Sequence, residues 1–251
     1  MNAADRCGAG RARPIAGRRA RRRLLVAGLL VLALGTFRAA PLAATPISVG
    51  PGETYTLTGD VALAPTDTFM AQGTEAAPCT IVGGGFGFTA MEFKGTFAIS
   101  HCLVQGLGSS TKVATDIRML GTASFRVEDS TFSQCGQIYV LSNEDTGVSI
   151  LRSDFLEDAA VTVFKESLAN SVPAVQVEGM STTTKQFIGN RVLKSSLRLA
   201  KTQHWQVGGL TEEEGNIFFG TRGGIYAEDI SDVQIQGNYM RMPAPWNGWN
   251  E

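Results

Sequence analysis

The chain has 251 residues, of which 43% are hydrophobic and 18% are charged, and its formal net charge is −1. The charge is unevenly distributed, because nine of the 22 basic residues and one of the 23 acidic residues lie at or before Arg38. The rest of the chain therefore carries 13 basic and 22 acidic residues, a net charge near −9. Such a field opposes a nucleic-acid partner, and we expect none.

Residues 1–44 have the pattern of a secretory signal peptide. Eight arginines from Arg6 to Arg23 precede an apolar stretch from Leu24 to Leu34, and Leu42-Ala43-Ala44 is the expected cleavage site with small residues. The run of arginines and leucines at 21–25 also resembles a twin-arginine export signal. The apolar stretch is short for a bilayer span, which needs about 20 residues, and an uncleaved membrane anchor is the alternative. We expect an exported protein, extracellular, periplasmic or at the cell surface, with no integral membrane span after cleavage.

Residues 45–78 are interpreted as N-terminal cap coils, and residues 79–251 as a series of repeats. Each repeat begins with Φ-x-Φ, in which Φ is an apolar residue and x is any residue. Two residues, a small or amide residue, one residue and a large apolar residue follow, and a short gap precedes a second Φ-x-Φ. Two clear copies are Phe125, Val127, Ser130, Phe132, Ile138, Val140 and then Val148, Ile150, Ser153, Phe155, Val161, Val163. Alternation with a period of two predicts strands, and regular recurrence of such a unit predicts a solenoid.

The small residue recurs at Gly84, Cys102, Ser130, Ser153, Asn190, Asn216 and Asn238. Its recurrence predicts an internal ladder at a sharp corner, where Asn and Gly tolerate left-handed backbone angles. The large apolar residues that follow are expected to line one inner wall: Phe132, Phe155, Val192, Phe218 and Met240. An antiparallel sandwich also contains many short strands, but it does not require the same small residue at one corner of every unit. We predict an all-β, right-handed parallel β-helix of about seven coils.

The longest interval between small residues lies between Ser153 and Asn190. Residues 164–184 are interpreted as an excursion from the repeat, with a possible strand of its own at Val175 and Val177. Trp205 occupies a core position in the repeat and is interpreted as a packing residue.

Three cysteines, Cys79, Cys102 and Cys135, follow the predicted signal peptide. The repeat register places Cys79 in a strand core, Cys102 in the small-residue position and Cys135 in a turn. Because these are three different columns of the stack, we expect no disulfide among them. Cys79 and Cys102 are interpreted as small buried hydrophobic residues. The two histidines, His101 and His204, do not form a cluster with metal-ligand spacing, and no metal or cofactor is expected.

Two segments carry a family resemblance. The run Phe218-Phe219-Gly220-Thr221-Arg222-Gly223-Gly224-Ile225-Tyr226-Ala227 resembles the repeat of polymorphic outer-membrane proteins, which pairs an F-x-x-N-type motif with G-G-A-[ILV]. Cys135-Gly136-Gln137-Ile138-Tyr139 resembles a degraded copy of it. The stretch from Val49 to Gly85 is similar to the first coils of pectate-lyase-like β-helices. These resemblances imply a secreted β-helix, with a polysaccharide or a surface ligand as its partner.

Charged residues recur in matching positions of successive repeats. The alignment places Asp129 above Arg152, Asp154 above Arg191, and Glu157 above Lys194. Neighbouring coils lie about 4.8 Å apart, so these residues can pair across the stack. Each exposed pair contributes roughly 0–1 kcal/mol, and we interpret the pairs as structural.

The alternative is a polysaccharide-cleaving groove. Its candidate catalytic residues are Asp129, Arg152, Asp154, Glu157 and Asp158, with Lys165 nearby. Glycosidases use paired carboxylates as acid and base. By the resemblance, a lyase would combine acidic calcium ligands with an Arg or Lys base, and calcium is expected only in that case. The Asn-Thr-Asp, Asp-Asp, Gly-His-Gly and Arg-Ile-Lys motifs of galacturonases do not occur in the chain.

Two functions follow from these patterns. The first is a secreted or surface β-solenoid that binds or displays carbohydrate or surface ligands without catalysis. The second is a secreted polysaccharide lyase or glycoside hydrolase. Residues 243–251 contain no closing Φ-x-Φ pair, so an incomplete C-terminal end of the solenoid is predicted. Either the product is truncated, or another chain or further coils cover this end.

Overall fold

The computed structural model describes residues 46–108, 113–156, 174–220 and 224–241. All regular secondary structure in these residues is β-strand. The predicted signal peptide, Glu157, Asp158, Lys165 and residues 243–251 lie outside the described residues. The strands form three parallel stacks, named here sheets A, B and C, which the chain visits in the same order in each coil. The predicted parallel β-solenoid of about seven turns is therefore confirmed.

Each sheet receives one strand per coil. Sheet A contains β1 (Pro46–Val49), β4 (Thr68–Gln72), β7 (Thr96–Ser100), β10 (Ser124–Glu128), β13 (Gly147–Leu151), β16 (Lys185–Ile188), the second half of β18 (Leu197–Gly208) and β21 (Ser231–Gln236). Sheet B contains β2 (Thr54–Thr56), β5 (Cys79–Val82), β8 (Cys102–Gln105), β11 (Thr131–Ser133), β14 (Asp154–Phe155), β17 (Arg191–Leu193), β19 (Ile217–Phe219) and β22 (Tyr239–Arg241). Sheet C contains β3 (Val61–Leu63), β6 (Phe88–Phe93), β9 (Thr115–Met119), β12 (Ile138–Ser142), β15 (Val175–Gly179), the first half of β18 and β20 (Ile225–Glu228).

The core is the interior shared by the three sheets. Because the register is kept from coil to coil, identical aromatic residues stack along the solenoid axis. In sheet A the ring centroids of Phe69 and Phe97 lie 4.9 Å apart, and those of Phe97 and Phe125 lie 5.2 Å apart. In sheet B the rings of Phe132 and Phe155 are separated by 5.1 Å.

The predicted inner wall is confirmed in sheet B. Phe132, Phe155, Val192 and Phe218 occupy one column and are buried. Met240 continues this column opposite Phe218, but it is 50% exposed because β22 belongs to the last coil in the described part of the chain.

The predicted ladder is also confirmed. Ser153 donates its backbone N–H to Asn190 Oδ1 at 2.9 Å, and Asn190 donates its backbone N–H to Asn216 Oδ1 at 2.8 Å. Asn216 then donates Nδ2 to Asn238 Oδ1 at 2.7 Å. Ser130 Oγ accepts the backbone N–H of Cys102 at 3.1 Å at the other end of the column. Each side chain therefore binds a polar group of the preceding coil.

The left-handed corner lies one residue earlier than predicted. Asp129 (φ 47), Arg152 (φ 45), Gly189 (φ 66) and Gly237 (φ 62) adopt it, each directly before a ladder residue. The serine and asparagine residues of the ladder do not themselves have positive φ. Their side chains must point inward, and this requires ordinary strand geometry with the sharp turn made just before them.

The register predicted for the first repeat is wrong. Cys79, not Gly84, occupies the ladder column, because Cys79 aligns with Cys102 and Ile81 aligns with Val104. In this coil β4 is the first Φ-x-Φ strand and β6 is the second, and Met91 of β6 is exposed. Phe86, the residue in the large apolar position after Gly84, lies between β5 and β6.

The expectation of no disulfide is therefore also wrong. Cys79 and Cys102 are bonded across adjacent coils, with a Cα–Cα distance of 4.6 Å. Both are buried in the column that later coils fill with Ser and Asn. The expectation failed because the shifted register of the first repeat assigned the two residues to different columns.

A third correction concerns the coil that contains Ser153. The strand that completes it is β15, in which Val175 aligns with Ile138 and Val177 with Val140. The predicted strand at Val161 and Val163 lies outside the described residues, and its place in the register is taken by β15. Residues 157–173 themselves lie outside the described residues.

One charged side chain occupies an inward position. Lys185 is fully buried opposite Trp205, and its Nζ lies 5.9 Å from the centroid of the indole ring. The ammonium donates to the carbonyl oxygens of Ser181 at 3.1 Å and Thr183 at 3.2 Å. Burial lowers the pKa of Lys185 from 10.5 to about 8, because desolvation disfavours the charged form.

This burial predicts a pH-dependent stability. Between pH 8 and 10.5 the unfolded chain holds a proton on Lys185 that the folded chain has released, so the free energy of unfolding rises with pH. Relative to a Lys185→Met variant, the parent should gain up to about 3 kcal/mol across this window. Urea denaturation of both proteins at pH 7.5 and pH 10.5 measures the difference. An unchanged difference at the two pH values would contradict the prediction.

Candidate functional site

The two predicted charge pairs within the described residues are present. Arg152 donates Nε to Asp129 Oδ1 at 2.7 Å and Nη2 to Asp129 Oδ2 at 2.8 Å. Arg191 Nη1 lies 3.4 Å from Asp154 Oδ2 on the outer surface of sheet B. Glu157, the expected partner of Lys194, lies outside the described residues. The candidates Asp129 and Arg152 are therefore brought together at one corner, while Asp154 faces a different surface.

The Asp129–Arg152 pair has the geometry of a closed structural contact. Both carboxylate oxygens of Asp129 accept hydrogen bonds from the guanidinium, and His101 Nε2 lies 3.7 Å from Oδ2. The hydrogen bond from Arg152 lowers the pKa of Asp129, and the carboxylate raises the pKa of Arg152. A carboxylate held ionised and bound at both oxygens is poorly suited to exchange protons with a substrate.

Neutralising this pair should have a small effect. Asp129→Asn combined with Arg152→Gln is expected to change the free energy of unfolding by no more than about 1 kcal/mol, because the pair is solvent-exposed. Chemical denaturation of the double variant measures the change. Loss of ligand binding or of a catalytic activity in a folded single variant would instead assign the pair to a functional site.

A second group of polar side chains lies on the outer surface of sheet C. Inward and outward residues alternate along these strands, and the outward ones align from coil to coil. We call this surface the sheet C face and define it by Asp116, Arg118, Tyr139, Gln176, Glu178, Arg198, Tyr226 and Glu228.

The centre of the sheet C face is a hydrogen-bonded network. Gln137 donates Nε2 to Gln176 Oε1 at 2.9 Å, and Gln176 donates its own Nε2 to Glu178 Oε1 at 2.6 Å. Tyr139 donates its hydroxyl to Glu178 Oε2 at 3.3 Å. Residues from coils that follow one another along the stack are thus held in fixed orientations.

Charge pairs flank this network on both sides. Arg118 Nε lies 3.4 Å from Asp116 Oδ1, and Arg198 Nη2 lies 3.2 Å from Glu228 Oε2. Burial raises the pKa of Tyr139, and the neighbouring Glu178 carboxylate raises it further. The Tyr139 hydroxyl is consequently a neutral hydrogen-bond donor at ordinary pH.

Sequence reasoning missed the sheet C face entirely. The alternation that buries Ile117 and Val140 also identifies Asp116 and Tyr139 as outward residues. The alternation does not identify the outward residues of β15, because the repeat pattern matches Val161 and Val163 as the second strand of that coil. Glu178 and Gln176 were thereby left in a predicted excursion, and the alignment that joins the network could not be made.

Within residues 46–241, excluding the gaps in the described ranges, no group of three or more His, Cys, Asp and Glu side chains is arranged to hold a metal ion. The described part of the chain also contains no helix with the length and hydrophobicity of a membrane span. Comparison of the chain with family models, with curated proteins and with solved structures found no match. The resemblances to pectate-lyase-like β-helices and to polymorphic outer-membrane-protein repeats therefore stay predictions.

Proposed function

We propose that this chain is a polysaccharide-binding β-solenoid and that the polymer lies along the sheet C face. The observation that carries the proposal is the network of Tyr139, Gln176 and Glu178, whose members come from successive coils and hold one another in place. Preorganised donors and acceptors reduce the loss of side-chain entropy on binding. A network of this kind suits the hydroxyl groups of a sugar.

The repeat of the solenoid supports a polymer rather than a small ligand. Successive coils lie about 4.8 Å apart, a spacing comparable with the length of one sugar unit. Outward positions of the same column carry Asp116, Tyr139, Gln176, Arg198 and Tyr226, one from each coil. An extended chain that runs along the axis would meet a new polar or aromatic side chain at each unit.

Tyrosine adds an apolar surface to these polar groups. Tyr226 is 46% exposed, and its ring is available to pack against the C–H face of a sugar ring. Aromatic side chains that combine a large apolar face with a polar tip are frequent at binding surfaces.

Export of the protein is part of the proposal. The arginine-rich, apolar pattern of residues 1–44 supports a secretory signal. The disulfide between Cys79 and Cys102 supports an oxidising compartment, where such bonds form and persist. The resemblance of residues 49–85 to pectate-lyase-like β-helices agrees with a carbohydrate ligand outside the cytoplasm.

A matched pair of tyrosine variants tests the proposal. Tyr226→Ala should weaken binding to the polymer about tenfold, since about 1.4 kcal/mol of contact is lost. Tyr239→Ala removes a tyrosine of similar exposure, 57% against 46%, from the outer surface of sheet B and should leave affinity unchanged. Affinity electrophoresis of the full chain in gels that contain plant, algal or bacterial polysaccharides measures both. Equal effects, or no retardation by any polymer, would refute the proposal.

A further inference from the structure

We infer that the polymer bound by the sheet C face is an uncharged polysaccharide, an inference that rests on the proposed function. The two arginines of the face are each engaged by a carboxylate of the same face. Arg118 pairs with Asp116 at 3.4 Å, and Arg198 pairs with Glu228 at 3.2 Å. An acidic sugar would have to compete with these carboxylates for the guanidinium groups.

The centre of the face excludes an anion more strongly. Glu178 presents a carboxylate between the two arginine pairs, and both of its oxygens accept hydrogen bonds from Gln176 and Tyr139. A carboxyl or sulfate group of a ligand placed here would face this negative charge at close range. Hydroxyl groups meet no such repulsion, because they can donate to the remaining lone pairs of Glu178 or Tyr139 and accept from the second amide proton of Gln176.

The charge of the whole chain acts in the same direction. The eight residues of the face comprise three carboxylates and two arginines, and the part of the chain after the predicted signal peptide has a net charge near −9. This field repels a polyanion at a distance as well as at contact. A polycation would be attracted to the surface, but each carboxylate of the face already has an arginine, glutamine or tyrosine partner, so such binding would be non-specific and sensitive to salt.

The inference is tested with matched neutral and charged polymers. The full chain is titrated with galactan and polygalacturonate, with mannan and alginate, and with chitin oligosaccharides and their deacetylated cationic forms. We expect binding to at least one neutral polymer, with an affinity that changes less than about threefold between 0.05 and 0.5 M NaCl, because no phosphate-like or carboxylate contact is screened. Preference for a charged polymer with a strong salt dependence would overturn the inference and leave the proposed function intact.

Arginine variants give an independent readout. Arg118→Gln and Arg198→Gln change residues of the binding face, and any loss of affinity for the polymer should be the same at 0.05 and 0.5 M NaCl, because an uncharged ligand forms no ion pair with a guanidinium. Arg126→Gln is the control, since Arg126 forms a comparable pair with Glu128 at 2.7 Å on the outer surface of sheet A. A loss in either face variant that exceeds about tenfold at low salt and disappears at high salt, with none in the control, would overturn the inference. Failure of every polymer to bind would refute the proposed function as well.

Discussion

Replacing Phe155 with alanine is expected to lower the free energy of unfolding by about 3–5 kcal/mol, the range for truncation of a buried aromatic residue. Phe155 is 4% exposed, and its ring lies 5.1 Å from that of Phe132 and 6.3 Å from that of Phe187. The cavity would open in the middle of the stack, where coils on both sides hold the neighbouring rings in place. Chemical denaturation followed by circular dichroism measures the loss.

The control is Leu103→Ala. Leu103 also lies in sheet B, but it points outward and is 43% exposed, so its truncation should change stability by less than about 0.5 kcal/mol. Similar losses in the two variants would show that the inward and outward assignments of this sheet are wrong, and with them the alignment of every column.

Replacing Asn190 with alanine is expected to destabilise the fold by about 2–6 kcal/mol, because two buried backbone groups lose their partners at about 1–3 kcal/mol each. Asn190 Oδ1 accepts the backbone N–H of Ser153 at 2.9 Å, and its Nδ2 donates to the carbonyl oxygen of Ile150 at 2.9 Å. Both contacts join adjacent coils. The same denaturation experiment gives the size of the effect.

Serine at the same position provides the matched comparison. Ser130 and Ser153 occupy the ladder in earlier coils, and each accepts the backbone N–H of the ladder residue in the preceding coil. Asn190→Ser should therefore retain the acceptor for Ser153 and recover part of the stability lost in Asn190→Ala. Hydrogen exchange at the Ser153 amide should be fast in the alanine variant and slow in the serine variant. Equal exchange in both would contradict the role of the ladder.

The register from Phe125 onward could be predicted, except for the second strand of the coil that contains Ser153, because the solenoid repeats a constant cross-section. Each coil places an inward residue above an inward residue, so alternation and the spacing to the ladder residue suffice to align Phe132 with Phe155 and Val192 with Phe218. The same alignment predicted the Asp129–Arg152 pair correctly, since outward neighbours share the register of inward ones.

The first coil and the cysteines could not be predicted in this way. The first strand of that coil has Phe69 and Ala71 at its inward positions, and alanine is too small and too common to mark a core position. With Gly84 in the small-residue position, the repeat pattern places the first strand at Cys79 and Ile81, whereas in the structure this pair belongs to sheet B. Only pairing with the next coil decides between these alternatives, because a Φ-x-Φ pair has the same appearance in all three sheets.

The sequence by itself determined the repeat, the ladder and the core column, because burial imposes a periodic pattern on the residues that face inward. The sheet C face was decided only by the tertiary structure. Its residues share no motif, and Tyr139 and Glu178 become neighbours because β15, which the repeat pattern did not align, pairs with β12. Outward positions tolerate almost any polar residue, so their arrangement into a site depends on which coils are stacked and in which register.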